Sequence, residues 1–278
     1  MIYLSPEIAS GLGEDTFWTW FKREVSNTTF DDVNRAQEND IILRYSTKGI
    51  IPPNIKAKSV ALCWELLPEM KVKLNSNSWD HKINVTYQVA NSCDRRVVAS
   101  RLSIPYYEHC GKIDIIPIGV DTNLFKPSSD KESLRLKYNL PLDKEIIFWG
   151  GTNHPMKGFQ NLLKFKQDNP QYHYICVWKT PGEATLLEGF SNHILVKQEI
   201  LSELMAASDY ILCCGLLQPF YMIEWEAMSC GLKPIILNNV EKDFVPSLDP
   251  RKDIFDQGWS RDQVKVTWEK YLNDLLIS

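Results

Sequence analysis

"RRVVASRLSIPYYEHCGKIDIIPIGVDTNLFKP", residues 95–127, carries two apolar strand-like runs, 96–99 and 113–116. The second run leads into "IPIGVDTNLFKPSSDKES", where Gly119, Pro127 and a Ser-Ser-Asp run interrupt any regular element. A break of this kind, flanked by strand-forming sequence, predicts a boundary between two domains, 1–118 and 119–278. The chain's 278 residues are long for one small core and suit two of roughly 100–150 residues.

Outward from this boundary, apolar runs alternate with amphipathic ones, the pattern of an α/β fold with parallel sheets. In the first half, strands are expected at 1–4, 40–45, 59–64, 82–88, 96–99 and 113–116, with a helix over 14–25 after the loop "SGLGEDTFW". The second half reads as strands at 145–149, 172–177, 194–196, 210–214 and 233–237. Helices fall between them at 157–166, 183–187, 200–207 and 221–229, and Ser260 is a suitable N-cap for a last helix over 261–276. Open parallel sheets bind ligands at the carboxyl ends of their strands, so a cleft between two such domains is the expected place for a site.

Composition narrows the function. The chain is 44% hydrophobic and 24% charged, with a net charge of −4. Residues 1–120 hold 14 basic and 14 acidic groups and the remainder 17 and 21, too little positive charge for duplex nucleic acid on either half. A cluster of Lys56, Lys58, Lys71, Lys73 and Lys82 fits a solvated face, or a weak peripheral contact with an anionic membrane. No apolar run reaches the ~18–20 residues of a membrane span. The first residues lack a basic segment followed by a long apolar one, so no signal peptide is expected. Seven cysteines without a CxxC pair indicate reduced, packed thiols and no zinc site. A cytoplasmic location follows as an expectation, and the sequons at Asn27 and Asn84 read as accidental.

One carboxylate stands out. In "FYMIEWEAMSCGLKPII", residues 220–236, Glu226 lies in a short helix whose neighbours are apolar, and a buried carboxylate is costly unless something pairs with it. Glu224 lies about 200° around the same helix and is expected to be solvated. Lys157-Gly158 follows "FWGGTNHPM" where a helix is expected to begin, and a helix N-terminus with a neighbouring ammonium suits a phosphate. A lysine beside a glycine is also common where no ligand binds.

These tracts together resemble the retaining, metal-independent family 4 glycosyltransferases of the GT-B fold. The tract 95–127 is similar to the passage between their domains, "GTNHPMKGFQNLLKF" to their phosphate-lysine segment, and "EAMSCGLKPII" to their "EAMACGxPVI" segment. "GWSRDQVKVTWEKYLNDLL" resembles their closing helix. The resemblance implies two Rossmann-like domains facing across a cleft, with the last helix crossing back to the first domain. It implies a nucleotide-diphosphate sugar as cosubstrate, with neither cofactor nor metal. Glu226 would accept the ribose hydroxyls, and Lys157 with Gly158 would hold the diphosphate. Phe220, Tyr221 and Met222 would offer backbone amides, and Gly11 and Gly13 would form the glycine loop of the first domain. Gly11 and Gly13 are equally ordinary turn residues.

Departures qualify the resemblance. Gln218 stands where the family has its first helical acid, and an amide cannot stabilise developing positive charge as a carboxylate does. Thr152, on the donor side, replaces an arginine; Trp64-Glu65 replaces a His-Asp pair, leaving Gln218 and Glu65 as the catalytic candidates. The glycine pair expected after "KPII" is missing. The expected activity is glycosyl transfer to a carbohydrate or other hydroxyl acceptor, with retention. The alternatives are a catalytically silent sugar-nucleotide-binding or scaffold protein and a sugar-nucleotide epimerase.

Overall fold

The structure is a computed structural model. It describes residues 1–5, 13–46, 54–64, 67–178, 189–218, 221–238, 240–242 and 244–277. The chain divides into two compact units, Met1–Ile118 with Asp262–Ser278, and Gly119–Arg261. Both are Rossmann-like, with a parallel sheet between layers of helix.

In the first unit the elements run β1 (Ile2–Ser5), α1 (Gly13–Glu24), β2 (Thr28–Thr29), β3 (Ile41–Tyr45), β4 (Lys58–Leu62), α2 (Leu67–Leu74), α3 (Asp80–Ser92), β5 (Arg95–Val98), α4 (Ile104–Tyr107) and β6 (Ile113–Ile115). The six strands pair in parallel in the order β2-β1-β3-β4-β5-β6. Alternation along the strands sorts side chains to two faces: Ile41, Leu43, Val60 and Leu62 to one, Ile42, Ala61 and Cys63 to the other. The first face is covered by α1, through Phe17, Trp18, Trp20 and Phe21, and by the last helix, α10 (Arg261–Ile277).

In α10, Val264, Trp268, Leu272 and Leu275 recur at helical spacing and are all buried. Each buried side chain of this kind contributes about 1.5–3 kcal/mol. Polar contacts fix its register, with Lys58 Nζ donating to Leu275 O at 2.8 Å and the Tyr271 hydroxyl to Asp114 at 3.1 Å.

The second unit runs α5 (Lys131–Lys137), β7 (Ile146–Gly151), α6 (Phe159–Asp168), β8 (His173–Trp178), β9 (Ser191–Ile194), α7 (Gln198–Ala206), β10 (Tyr210–Cys213), β11 (Leu217–Gln218), α8 (Met222–Ser229), β12 (Lys233–Ile236), β13 (Glu241–Lys242) and α9 (Pro250–Asp256). Its main sheet is parallel, in the order β12-β10-β7-β8-β9. The chain moves outward from β7 through β8 to β9, then returns to the other side of β7 with β10. That reversal makes the carboxyl ends of β7 and β10 the switch point at which ligands bind in such sheets.

Three expectations are corrected. The stretch 82–88 is helix α3: Ile83, Val85 and Tyr87 alternate as in a strand, but Ile83, Thr86, Val89 and Ala90 are buried, at the spacing of one helix face. The strand expected at 194–196 is Ser191–Ile194, and it ends where Leu195 takes a φ of 48°. Glu224 is buried at 2% exposure. The helix expected at 183–187 lies outside the described residues.

Candidate functional site

The switch point of the second unit brings together the loop after β7, the end of β10 and the start of α8. After Gly151 the loop folds back on itself: Thr152 Oγ1 accepts from His154 N at 3.3 Å, and His154 Nδ1 accepts from Met156 N at 3.2 Å. A 3₁₀ turn, Pro155–Lys157, follows, and α6 begins only at Phe159. Lys157 therefore stands on the turn that precedes the expected helix.

Gly158 has a φ of 74°, and a Cβ on it would lie 2.0 Å from Cys214 O. Its glycine identity is accounted for by the approach of this loop to the end of β10. Asn161 Nδ2 donates to the same carbonyl at 2.8 Å. Gly150 is constrained from the other side, since a Cβ there would meet Ile223 Cδ1 of α8 at 2.1 Å.

These close approaches set Lys157 against α8. Its Nζ lies 3.8 Å from the centroid of the Tyr221 ring, and the Tyr221 hydroxyl points to Gly150 O at 3.4 Å. Burial, then Glu224, keeps that phenol protonated far above the usual range. Tyr221 immediately precedes α8, whose first-turn N–H groups and dipole favour an anion.

Glu226 is one turn further along α8 than Met222, about 40° away in azimuth and about 6 Å along the axis. It is 7% exposed. Burial raises its carboxyl from 4.5 to about 7, Arg261 opposing and Asp121 reinforcing the rise. Arg261 is bound to Asp121 at 2.9 Å, so its charge is already largely matched. Asp121 is held in turn by accepting from Asn123 N at 3.2 Å and Leu124 N at 3.0 Å. Glu226 is the surplus anion of this group, buried in the middle of α8.

The site thus contains Lys157, Gly158, Tyr221, Met222 and Glu226, with Thr152 engaged in the loop's own hydrogen bonding. Gln218 is described only as backbone in β11, paired in parallel with β13. Glu65, Phe220 and Gly11 lie outside the described residues, and Gly13 opens α1. Sequence reasoning missed the Asp121–Arg261 pair beside Glu226. No local spacing signals it, because the residues are far apart in sequence and are brought together by the pairing of Val120 with the segment 259–261. The Lys157–Tyr221 contact was equally hidden.

No family model matches the chain. Sequence relatives include the D-inositol 3-phosphate glycosyltransferase of Mycobacteroides abscessus, 24% identical over 163 residues, 52% of this chain and 37% of the relative. The protein of the same name from Segniliparus rotundus is 23% identical over 205 residues, 68% of this chain and 44% of its own. The chain thus spans about two-fifths of the length of these curated relatives. Among solved structures, sucrose-phosphate synthase from Thermosynechococcus elongatus matches with a TM-score of 0.60 at 18% identity, over 85% of this chain and 69% of that one. Anabaena Alr3699/HepE in complex with UDP-glucose matches at 0.57 and 18%, over 80% and 72%. WaaG, a glycosyltransferase involved in lipopolysaccharide biosynthesis, matches at 0.54 and 13%, over 99% and 92%.

The fold is GT-B, built from two Rossmann-like units. The proteins this chain resembles in sequence are glycosyltransferases, and within that class its likeness is to family 4.

Proposed function

We propose that the chain transfers a glycosyl group from a nucleotide-diphosphate sugar to a hydroxyl acceptor, retaining anomeric configuration and needing no metal. The observation that carries this reading is the buried, surplus carboxylate of Glu226, one helical turn beyond the N-terminus of α8, where Lys157 also lies. A ribose would lie along that turn, about 6 Å of the helix axis. Its two hydroxyls would donate to Glu226, and the diphosphate would lie against Lys157 and the first amides of α8. Each charge-assisted hydrogen bond is worth roughly 1.5–3 kcal/mol. Departure of the nucleoside diphosphate would be favoured by the same ammonium and helix dipole. Gln218 and Glu65 are the residues that the resemblance assigns to the transferred sugar.

A second reading is a sugar-nucleotide-binding protein without turnover. It is favoured by Gln218 in place of an acid, and by Thr152, whose hydroxyl is engaged with His154 N rather than supplying a cation.

Calorimetry with UDP, GDP and ADP tests the binding step, and absence of binding by all three overturns both readings. Nucleoside diphosphate release from the matching sugar nucleotide, in the presence of chelator, separates transfer from silent binding. The anomeric proton coupling of the product tests retention.

A further inference from the structure

The first unit contains a cavity of about 280 Å³, lined by α2, α3 and α4 and open to solvent on one side. Helix α2 follows the carboxyl end of β4 and α4 follows that of β5, so Pro68 and Tyr106 mark the side of the parallel sheet where such folds bind ligands. Asp80, the first residue of α3, lines the same space.

The lining is mixed in a specific way. Pro68 and Ile83 give an apolar wall, and Tyr87 and Tyr106 add aromatic rings with hydroxyls. Burial, with Glu69 nearby, raises the Tyr87 phenol to about 12, so it remains a donor throughout the working range. Asn84 offers an amide that both donates and accepts. Lys71 Nζ meets Asp80 Oδ1 at 2.6 Å, so the one cation and one anion of the lining neutralise each other. An anionic ligand would have to break that pair or leave Asp80 against its own charge. The volume equals that of about nine waters at ~30 Å³ each, room for one six-membered sugar ring. Such a ring has apolar C–H faces and a girdle of vicinal hydroxyls, which matches rings and an apolar wall combined with paired donors and acceptors.

We infer that this cavity is a subsite for a single neutral hexose, held by Asn84, the Lys71–Asp80 pair and the two tyrosines. Its use as the seat of the acceptor rests on the transfer reading; its binding of a sugar does not.

The test is a titration of the ¹⁵N-labelled full chain with D-glucose, D-galactose and D-mannose to tens of millimolar, followed by amide shifts. Saturable binding by at least one of them is expected, with shifts in α2 and α3. Asn84 is exposed, so Asn84→Trp can fill the cavity without disturbing the core, and it is expected to weaken that binding by at least about tenfold. Asn84→Ala should weaken it less. Glucose 6-phosphate is the charged comparison and should bind no better than glucose. No saturable binding by any sugar, undiminished binding in Asn84→Trp, or a preference above about tenfold for the phosphate ester would each overturn the inference. Nucleoside diphosphate binding, measured on the same samples, reports separately on the second unit: its failure would overturn the transfer reading and leave the sugar subsite standing.

Discussion

Replacing Glu226 by glutamine preserves its volume and removes its ionisation, which makes it the most informative change in the molecule. The carboxyl is raised from 4.5 to about 7 in the folded chain, so the folded state holds a proton that the unfolded chain has already released. The sign follows from linkage. Below about pH 4.5 both states are protonated and there is no penalty; between there and pH 7 stability falls as pH rises, and above pH 7 the full penalty is present. The shift of about 2.5 units corresponds to ~3 kcal/mol. Glu226→Gln is therefore expected to unfold close to wild type near pH 4.5 and to be more stable by ~3 kcal/mol at pH 8, or roughly 6–12 °C in Tm for a chain of this size.

The same variant should bind nucleoside diphosphate more weakly by about one to two powers of ten, because a charged acceptor for the ribose diol is gone. In the wild type, ligand binding needs the ionised carboxylate, so it should release a proton below about pH 7. Calorimetry in buffers of different ionisation enthalpy would register that proton, and the variant should lack it. Thermal unfolding from pH 4.5 to 8.5, with and without nucleotide, completes the assay. A stability difference that does not change with pH, or unaltered nucleotide affinity in the variant, would refute the reasoning.

Tyr221→Leu removes the ring against which Lys157 rests, and should narrow the affinity gap between nucleoside diphosphate and monophosphate by about tenfold; Tyr221→Phe, which keeps the ring, should restore it. Gly158→Ala should destabilise the second unit by about 1–2 kcal/mol from its left-handed backbone alone, and further from the clash with Cys214 O, as measured by denaturant midpoint. Gln218→Glu is expected to raise turnover of the matching sugar nucleotide more than it raises donor affinity, read as a change in kcat with little change in KM.

The fold was legible where one period dominated. Strands such as Ile41–Tyr45, apolar but for Arg44, and His173–Trp178, apolar from Tyr174 on, are near-continuous apolar runs of the kind found in parallel sheets buried on both faces. Residues 82–88 were misread because Ile83, Val85 and Tyr87 satisfy the strand period locally. The helix prevails because α3 packs Ile83, Thr86, Val89 and Ala90 together, a contact that exists only once the sheet is formed. Glu224 was misread for a related reason: a helix face assigned to solvent by its charge is enclosed by the rest of the unit, and no neighbour in sequence reveals that.

At the site, sequence identified the charges but not their balance. Glu226 and Lys157 could be singled out individually, since each is a charge in an otherwise apolar or turn-forming segment. On the proposed reading, Glu226 suits a neutral diol because Arg261, the cation whose charge acts on it, is bound to Asp121. Arg261 reaches it from the start of α10 and Asp121 from the passage between the units, and those two bind each other at 2.9 Å. With Arg261 bound to Asp121, its pull on Glu226 is outweighed by burial, which raises the carboxyl. The buried carboxyl keeps acceptor capacity that, on the proposed reading, the hydroxyls of a ribose would use.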